Sequence, residues 1–145
     1  MPRCYLLTLC SGSSVDQHSN NVTLFNLVEQ LNVPPNAPPP PGGVIPLEIH
    51  AYWELAANEL STDFEMRFLL IATATGLETV SDVLAHRSVT PRYRTRTMGL
   101  PMPPVLGQYD LRVEWRQTGG TGWSREKVSW PVAFVEQSQQ PVVTH

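Results

Sequence analysis

The feature that most constrains the fold is an alternation of apolar and polar residues with a period of two. It is clearest in GQYDLRVEW, residues 107–115, where Asp110, Arg112 and Glu114 fall between apolar residues. Such alternation is typical of a strand with one face in the core and one in water. It indicates an antiparallel sheet, because strands of parallel sheets are usually covered on both faces.

A β-hairpin is predicted to follow from this segment. Residues 119–122 form a glycine-rich cluster that favours a turn. The alternation then resumes, with inward positions at Val128, Trp130, Val132 and Phe134. Pro131 falls at an outward position, and proline cannot donate a ladder hydrogen bond. The second strand is therefore expected to lie at a sheet edge or to contain a bulge.

Two further segments, LEIHAYWEL (47–55) and FEMRFLLIA (64–72), show the same period. They are predicted to pair with each other through a short turn. His50 would then point outward beside Glu48 and Glu54, with Glu65 and Arg67 opposite on the neighbouring strand. Such a face is expected to be solvated and to carry cross-strand ion pairs, which are routine on exposed strands. Leu69 and Ile71 break the alternation, so the end of that strand is expected to be covered on both faces.

The N-terminal apolar run, residues 4–10, is predicted to be a central buried strand that holds both cysteines. In an extended run Cys4 and Cys10 share one face about 20 Å apart and cannot bridge to each other. Free buried thiols fit a reducing compartment, and an intermolecular disulfide is the alternative. The run is at the lower limit of length for the apolar region of a secretory signal and is too short for a membrane span. A cytoplasmic protein that does not enter a membrane is expected.

Residues 21–31, NVTLFNLVEQL, fit a helix or a strand. The strand is preferred because Val22, Thr23 and Phe25 favour β-structure and no helix N-cap precedes the segment in the right register. The next segment, residues 34–43, holds six of the 14 prolines and favours polyproline II. It is predicted to cross from one sheet to the other, and a ligand for an aromatic groove is the alternative.

These segments together predict the fold class. About seven strands and no confident helix indicate an all-β protein, an antiparallel β-sandwich of immunoglobulin-like or C2-like topology. The 145 residues suit a single domain. It is expected to span residues 1–136, with the proline-rich crossover loop at 34–43 and a polar C-terminal tail at 137–145.

Three segments carry a resemblance to a protein family. They are the opening strand that ends at Leu9-Cys10, the V-x-L-x-N-L-V strand that leads into the prolines (22–35), and the G-x-Y-x-L-x-V segment at 107–113. In these the chain resembles a family of small uncharacterised bacterial β-sandwich proteins. It departs from that pattern at Ser11, where an acidic residue is expected, and at residues 19–21, where a Gly-Lys turn is expected. The resemblance implies a β-sandwich and no particular activity.

The sequence contains no recognised catalytic, cofactor or zinc motif. No cofactor, metal ligand or catalytic residue is therefore assigned. The one segment that could carry chemistry is the His50 face, because its carboxylates could serve a hydrolytic or metal site. An enzyme that uses this face is the least favoured hypothesis.

The segment RYRTRT places Arg92, Arg94 and Arg96 on one face of a strand, about 6.7 Å apart. The arginines could bind an anion or single-stranded nucleic acid. However, the net charge is -3, whereas nucleic-acid domains are typically basic. An edge strand protected by charge is the simpler explanation.

The leading function hypothesis is a non-enzymatic binding or assembly module, an accessory subunit that acts through protein–protein contacts. Its partner would be an unidentified protein or a second copy of the chain, and the candidate contacts are Arg92, Arg94 and Arg96. The alternative is an anion or single-stranded nucleic-acid binder that uses the same arginines.

Overall fold

The computed structural model describes residues 1–35 and 43–137. A short 3-10 turn, Ala57–Glu59, links the fourth and fifth strands. The strands in chain order are β1 (Arg3–Val15), β2 (Val22–Leu27), β3 (Gln30–Val33), β4 (Val44–Glu54), β5 (Phe64–Ala72), β6 (Glu78–Val80), β7 (Leu84–His86), β8 (Arg92–Pro101), β9 (Gly107–Gln117), β10 (Ser124–Arg125) and β11 (Trp130–Glu136).

The strands form two sheets. Sheet A has the order β2-β1-β4-β8, and all its neighbours are antiparallel. Sheet B has the order β3-β11-β9-β5-β6, with β7 also beside β5 and β10 beside β9. Its neighbours are antiparallel except β3 and β11, which run parallel. The two sheets confirm the all-β, sandwich-like prediction.

The core consists of side chains from facing strands of the two sheets. Trp53 of β4 packs on Phe64 of β5, with their ring centroids 6.2 Å apart. Burial of each large apolar side chain contributes about 1.5–3 kcal/mol. The largest fully buried side chains are Trp53, Phe68, Phe134, Leu9, Ile49, Met66, Leu69, Leu70, Leu100, Leu111, Val113 and Val132. Full burial of Leu69 agrees with the expectation that the end of β5 is covered on both faces.

The number of strands exceeds the prediction of about seven. β6, β7 and β10 have three, three and two residues, too few to show a period of their own. Residues 21–31 are strand rather than helix, as preferred, but they form β2 and the start of β3. The connection between the two strands takes the chain from sheet A to sheet B, and Asn26, next to the last residue of β2, has a positive φ of 52°.

The predicted pairing of β4 with β5 is wrong. β4 belongs to sheet A and β5 to sheet B, and the short turn between them carries the chain across the core. Glu65 and Arg67 therefore do not oppose His50. They bind Arg116 and Glu114 of the neighbouring β9, at N–O distances of 2.7 and 2.8 Å. Both strands show a period of two, and this period does not distinguish hydrogen-bonded neighbours from strands that face each other across a core.

The proline-rich segment joins β3 of sheet B to β4 of sheet A, so its flanking strands lie in opposite sheets, as a crossover requires. Residues 36–42 themselves lie outside the described residues. The predicted polar tail also lies outside them, apart from Gln137.

The predicted hairpin of β9 and β11 is confirmed, with Trp130 opposite Leu111 and Phe134 opposite Gly107. The edge expected from Pro131 is not observed, because β11 lies between β9 and β3. Pro131 precedes Ala133, where pairing with β3 begins, and the Ala133 amide donates to Glu29 on that side. The missing N–H of Pro131 points to the same side before β3 starts, so no ladder hydrogen bond is lost.

Both cysteines are free and buried, as predicted, and β1 is an interior strand. They do not share a face. A shift in register between Cys4 and Leu6 reverses the alternation, so Cys4 enters the core and Cys10 lies on the outer face of sheet A. In the described part of the chain, no helix is long and apolar enough to cross a membrane.

Candidate functional site

Among the described residues, the arginine strand β8 is one of the two edge strands of sheet A, and β2 is the other. Its only ladder among the described residues is with β4, where Arg92, Arg94 and Arg96 lie opposite Glu54, Tyr52 and His50. The other side of β8 carries no strand in residues 1–35 and 43–137. The position agrees with the prediction of a charged edge.

The backbone of the arginines points away from β4. The Leu55 amide donates to the Pro91 carbonyl at 2.7 Å, which makes these two residues a hydrogen-bonded pair. Such pairs alternate along an antiparallel ladder with pairs that are not hydrogen-bonded. Tyr93, Thr95 and Thr97 therefore direct their backbone groups to β4. Arg92, Arg94 and Arg96 direct their N–H and C=O groups to the free edge.

The three guanidinium groups have different environments. Arg96 Nη2 lies 2.7 Å from Glu48 Oε2, and Arg94 lies over the Tyr52 ring at 5.9 Å from its centroid. Arg92 is exposed opposite Glu54, whose carboxylate binds Arg3. The arginines consequently do not form one free cationic site, because Arg94 and Arg96 are held beside different partners.

A groove of about 210 Å³ lies beside the C-terminal half of β8. It separates the edge of sheet A from the short strands of sheet B and is partly open to solvent. Val44 and Met98 at its rim are 69% and 56% exposed. The groove is lined by Val44, Val80, Ser81, Asp82, Leu84, Thr97, Met98, Gly99 and Pro101.

A buried polar cluster lies on the outer face of sheet A, beside the arginine strand. Glu48 and His50 are 3% and 4% exposed, although outward residues of this strand were expected to be solvated. Glu48 Oε1 accepts a hydrogen bond from Ser13 Oγ at 2.7 Å and lies 2.9 Å from His50 Nε2. Arg96 binds the other carboxylate oxygen. The hydrogen bond from Arg96 outweighs the effect of burial, which raises the pKa of Glu48, and holds that pKa far below its usual range.

Cys10 and Thr8 of β1 complete this cluster. Cys10 is opposite Glu48 in the ladder and Thr8 is opposite His50. One ligand atom each from Cys10, Glu48 and His50 lie within 4.8 Å of one another. Burial raises the pKa of the Cys10 thiol, which donates to the Gly12 carbonyl at 3.3 Å. The Thr8 hydroxyl is buried and has no hydrogen-bond partner in the described structure.

Sequence reasoning identified His50 and Glu48 as neighbours but missed Cys10, Thr8 and the burial of the whole cluster. The alternation correctly predicted that Glu48 and His50 point away from the core. The alternation did not show whether other side chains cover the outward face of the strand or leave it open to solvent. Cys10 is brought beside Glu48 by a pairing between residues 38 positions apart, which depends on the register of β1 against β4.

A second set of buried polar atoms lies inside the sandwich. His86 is beside Phe64 and Tyr93, with ring centroids 5.7 and 6.1 Å away. Burial lowers the pKa of His86 and raises that of Tyr93. His86 Nε2, Tyr93 Oη and Trp53 Nε1 have no hydrogen-bond partner among the described residues.

Comparison with protein-family models gives no match for this chain, and no curated protein is significantly similar to it. The resemblance to small bacterial β-sandwich proteins therefore stays a prediction. The class that the structure defines is an all-β protein of two sheets with an open, arginine-bearing edge.

Proposed function

We propose that the protein is a non-enzymatic binding module whose edge strand β8 accepts an extended segment of a partner protein. The observation that carries this proposal is the orientation of the β8 backbone. Arg94 and Arg96 present N–H and C=O groups without a partner in the described residues on the free side of an ordered strand, whereas the Arg92 carbonyl accepts a hydrogen bond from Thr90 Oγ1 at 2.9 Å. An extended peptide can add to such an edge through main-chain hydrogen bonds, while its side chains supply specificity.

Charge indicates the chemistry of the partner. Residues directly opposite each other in an antiparallel pair lie on the same face, and like charges there are destabilising. A second copy of the chain that paired through β8 would bring arginines against arginines. A heterologous segment with acidic residues at alternate positions would instead meet the guanidinium groups. Its intervening side chains would point toward the groove, which Val80 and Leu84 line together with Asp82, and would therefore be apolar rather than acidic.

An immunoglobulin-like topology, rather than a C2-like one, is part of the proposal. A constant-type immunoglobulin domain has strands A, B, E and D in one sheet and C, F and G in the other. In chain order β2, β4 and β8 of sheet A fit A, B and E, and β5, β9 and β11 of sheet B fit C, F and G. The additional strand β1 lies between β2 and β4.

A tyrosine near the start of β9 supports this assignment. Tyr109 Oη donates to the carbonyl of Val105, four residues upstream. A tyrosine at the start of strand F that binds the backbone a few residues upstream is a hallmark of the fold. The segment before strand E usually forms strand D beside it. Here that segment contains β7, which pairs with β5 in sheet B, so strand E has an open edge in the described structure.

Two other functions receive less support. Arg96 is engaged by Glu48 and Arg94 by Tyr52, which reduces the cation density available to a nucleic acid. An enzyme that uses His50 would need substrate access, and His50 and Cys10 are both buried. The free buried thiols fit the cytoplasm, which is the proposed location.

The test is a matched pair of variants at Arg94. Arg94→Pro removes the outward N–H without removing a hydrogen bond to β4, whereas Arg94→Ala removes only the side chain. The probe is a short labelled peptide in which Glu and Val alternate, and its Lys-Val counterpart is the control. Fluorescence polarisation should detect binding of the acidic peptide only. Arg94→Pro should weaken it by about tenfold or more, an effect equivalent to roughly 1.4 kcal/mol.

Arg94→Ala should weaken peptide binding less than Arg94→Pro and should reduce its salt dependence. If both variants bind the acidic peptide as tightly as the wild type, β8 is not the docking site. The second measurement tests binding of a single-stranded oligonucleotide to the same variants at about 0.15 M salt. Oligonucleotide binding that both variants lose to the same extent would favour the anion or nucleic-acid function instead, because both remove the guanidinium group and only Arg94→Pro removes the N–H.

A further inference from the structure

We propose that Cys10, Glu48 and His50 form a Zn²⁺ site on the outer face of sheet A. These residues offer one sulfur, one oxygen and one nitrogen within 4.8 Å of one another. All three are buried, with exposures of 0%, 3% and 4%. Zinc takes these three donor types at about 2.0–2.3 Å and prefers four ligands in a tetrahedron.

The backbone fixes the positions of the ligands. Cys10 and Glu48 are opposite each other on β1 and β4, and His50 lies two residues from Glu48 on the same face. Three positions on two paired strands thus supply all three ligands without a loop. Zinc–ligand lengths of about 2.0–2.3 Å place the donor atoms of one sulfur, one oxygen and one nitrogen roughly 3.3–3.6 Å apart, so a pair at the 4.8 Å limit would have to close by about 1.5 Å. His50 Nε2 and Glu48 Oε1, which are 2.9 Å apart, would instead separate slightly.

The unpartnered hydroxyl of Thr8 is an independent observation at the same place. Thr8 is 2% exposed and lies opposite His50, on the same face of β1 as Cys10. Its Oγ1 has no hydrogen-bond partner in the described residues, and a buried polar atom in that state destabilises the folded protein. A water molecule in the fourth position of the zinc site would give this hydroxyl a partner.

The neighbours of Glu48 suit a metal-bound carboxylate. Arg96 binds Oε2 and Ser13 binds Oε1, so the carboxylate is oriented from two sides. Partners that orient a ligand typically change metal affinity by about 10–100-fold when they are removed. Binding would exchange the thiol proton of Cys10 for the metal and release it to solvent. The hydrogen that His50 Nε2 donates to Glu48 would have to move to Nδ1 for Nε2 to become a ligand. One thiolate and one carboxylate then balance the two charges of the ion.

The site connects β1, β4 and, through Arg96, the edge strand β8. Zinc would therefore fix the strand that bears the arginines. The inference does not rest on the proposed docking function, because the site is built from the outer face of the sheet and not from the free edge.

The experiment uses the untagged full chain and Co²⁺ as a spectroscopic probe of the zinc site. Cobalt should bind at one ion per chain and give a thiolate charge-transfer band with intense tetrahedral d–d bands. Excess Zn²⁺ should abolish both bands. The chain provides a matched control, because Cys4 is an equally buried thiol that lies in the core.

Cys10→Ser and His50→Gln should each lower the affinity for Zn²⁺, measured by competition with a chelating indicator, by about 100-fold or more. Cys4→Ser should leave the cobalt spectrum unchanged. Thr8→Val should lower the affinity by about tenfold and retain the thiolate band. Absence of tetrahedral bands in the wild type would overturn the site. Bands that persist in Cys10→Ser, or that disappear only in Cys4→Ser, would overturn it as well.

Discussion

At the scale of single residues, the structure shows how a carboxylate is accommodated under a sheet surface. Burial of an isolated charge costs several kcal/mol, and Glu48 offsets this through Arg96, Ser13 and His50. Three different strand segments contribute these partners. Loss of Arg96 alone would leave a buried carboxylate without its opposite charge, which is more costly than loss of a surface ion pair.

The two thiols should resist chemical labelling in the native, metal-free protein. Burial raises the pKa of Cys4 to about 12, and burial also raises that of Cys10. Labelling requires the thiolate, which is scarce at pH 8 when the pKa is so high. Mass spectrometry after brief maleimide treatment should show no adduct until denaturant is added. Rapid native labelling of Cys4 would contradict its placement in the core.

His86 should make the protein less stable in mild acid. Burial lowers its folded pKa below the ordinary value of about 6.5, so the unfolded chain binds the proton more readily. The stability that neutral His86 contributes is fully present above the pKa of the unfolded state. It is lost as the pH falls toward the lower pKa of the folded state. Each unit of lowering corresponds to about 1.4 kcal/mol.

Urea unfolding of the wild type and His86→Gln at pH 8 and pH 5.5 tests this expectation. The loss of unfolding free energy between the two pH values should be smaller in the variant. An imidazole NMR titration assigns the effect to His86. Equal losses in both proteins would show that His86 is protonated as easily in the fold as in the unfolded chain.

At the scale of elements, the period of two allowed much of the fold to be predicted. It located β4, β5, β9 and β11 and the facing of their residues. It could not show which strands are neighbours. Two bulges were also invisible to it, one near Tyr5 in β1 and one near Leu47 in β4, where the register of sheet A shifts. Bulges depend on how a strand packs against its neighbours. The sequence of one segment alone does not show this packing.

The orientation of the β8 backbone makes a prediction about proline substitutions. Arg94→Pro should cost little stability, because its N–H points to the free edge. Thr97→Pro should cost at least about 1–3 kcal/mol more, because it removes a ladder hydrogen bond and leaves a carbonyl of β4 without a donor. Thr97→Ala is the control for the side chain. Chemical denaturation of all three variants should give this order, and equal losses for both prolines would mean that the alternation is assigned wrongly.

At the scale of the whole molecule, the two sheets share one core, and the proposed docking edge and zinc site lie outside it. The sequence predicted a charged edge but not that it borders a groove, because the groove needs residues from β6 and β7. Those strands are too short to be recognised in the sequence. The Cys10, Glu48 and His50 cluster was missed for a related reason, since it forms only when β1 and β4 pair in the observed register.

The central claim is that β8 is an open strand that a partner segment can pair with. Amide hydrogen exchange followed by NMR tests it most directly, with and without the acidic Glu-Val peptide. In the free protein the amides of Arg94 and Arg96 should exchange fast and those of Thr95 and Thr97 slowly. Saturating peptide should slow exchange at Arg94 and Arg96 by on the order of tenfold or more. Slow exchange at both arginines without the peptide, or no change on its addition, would contradict the claim.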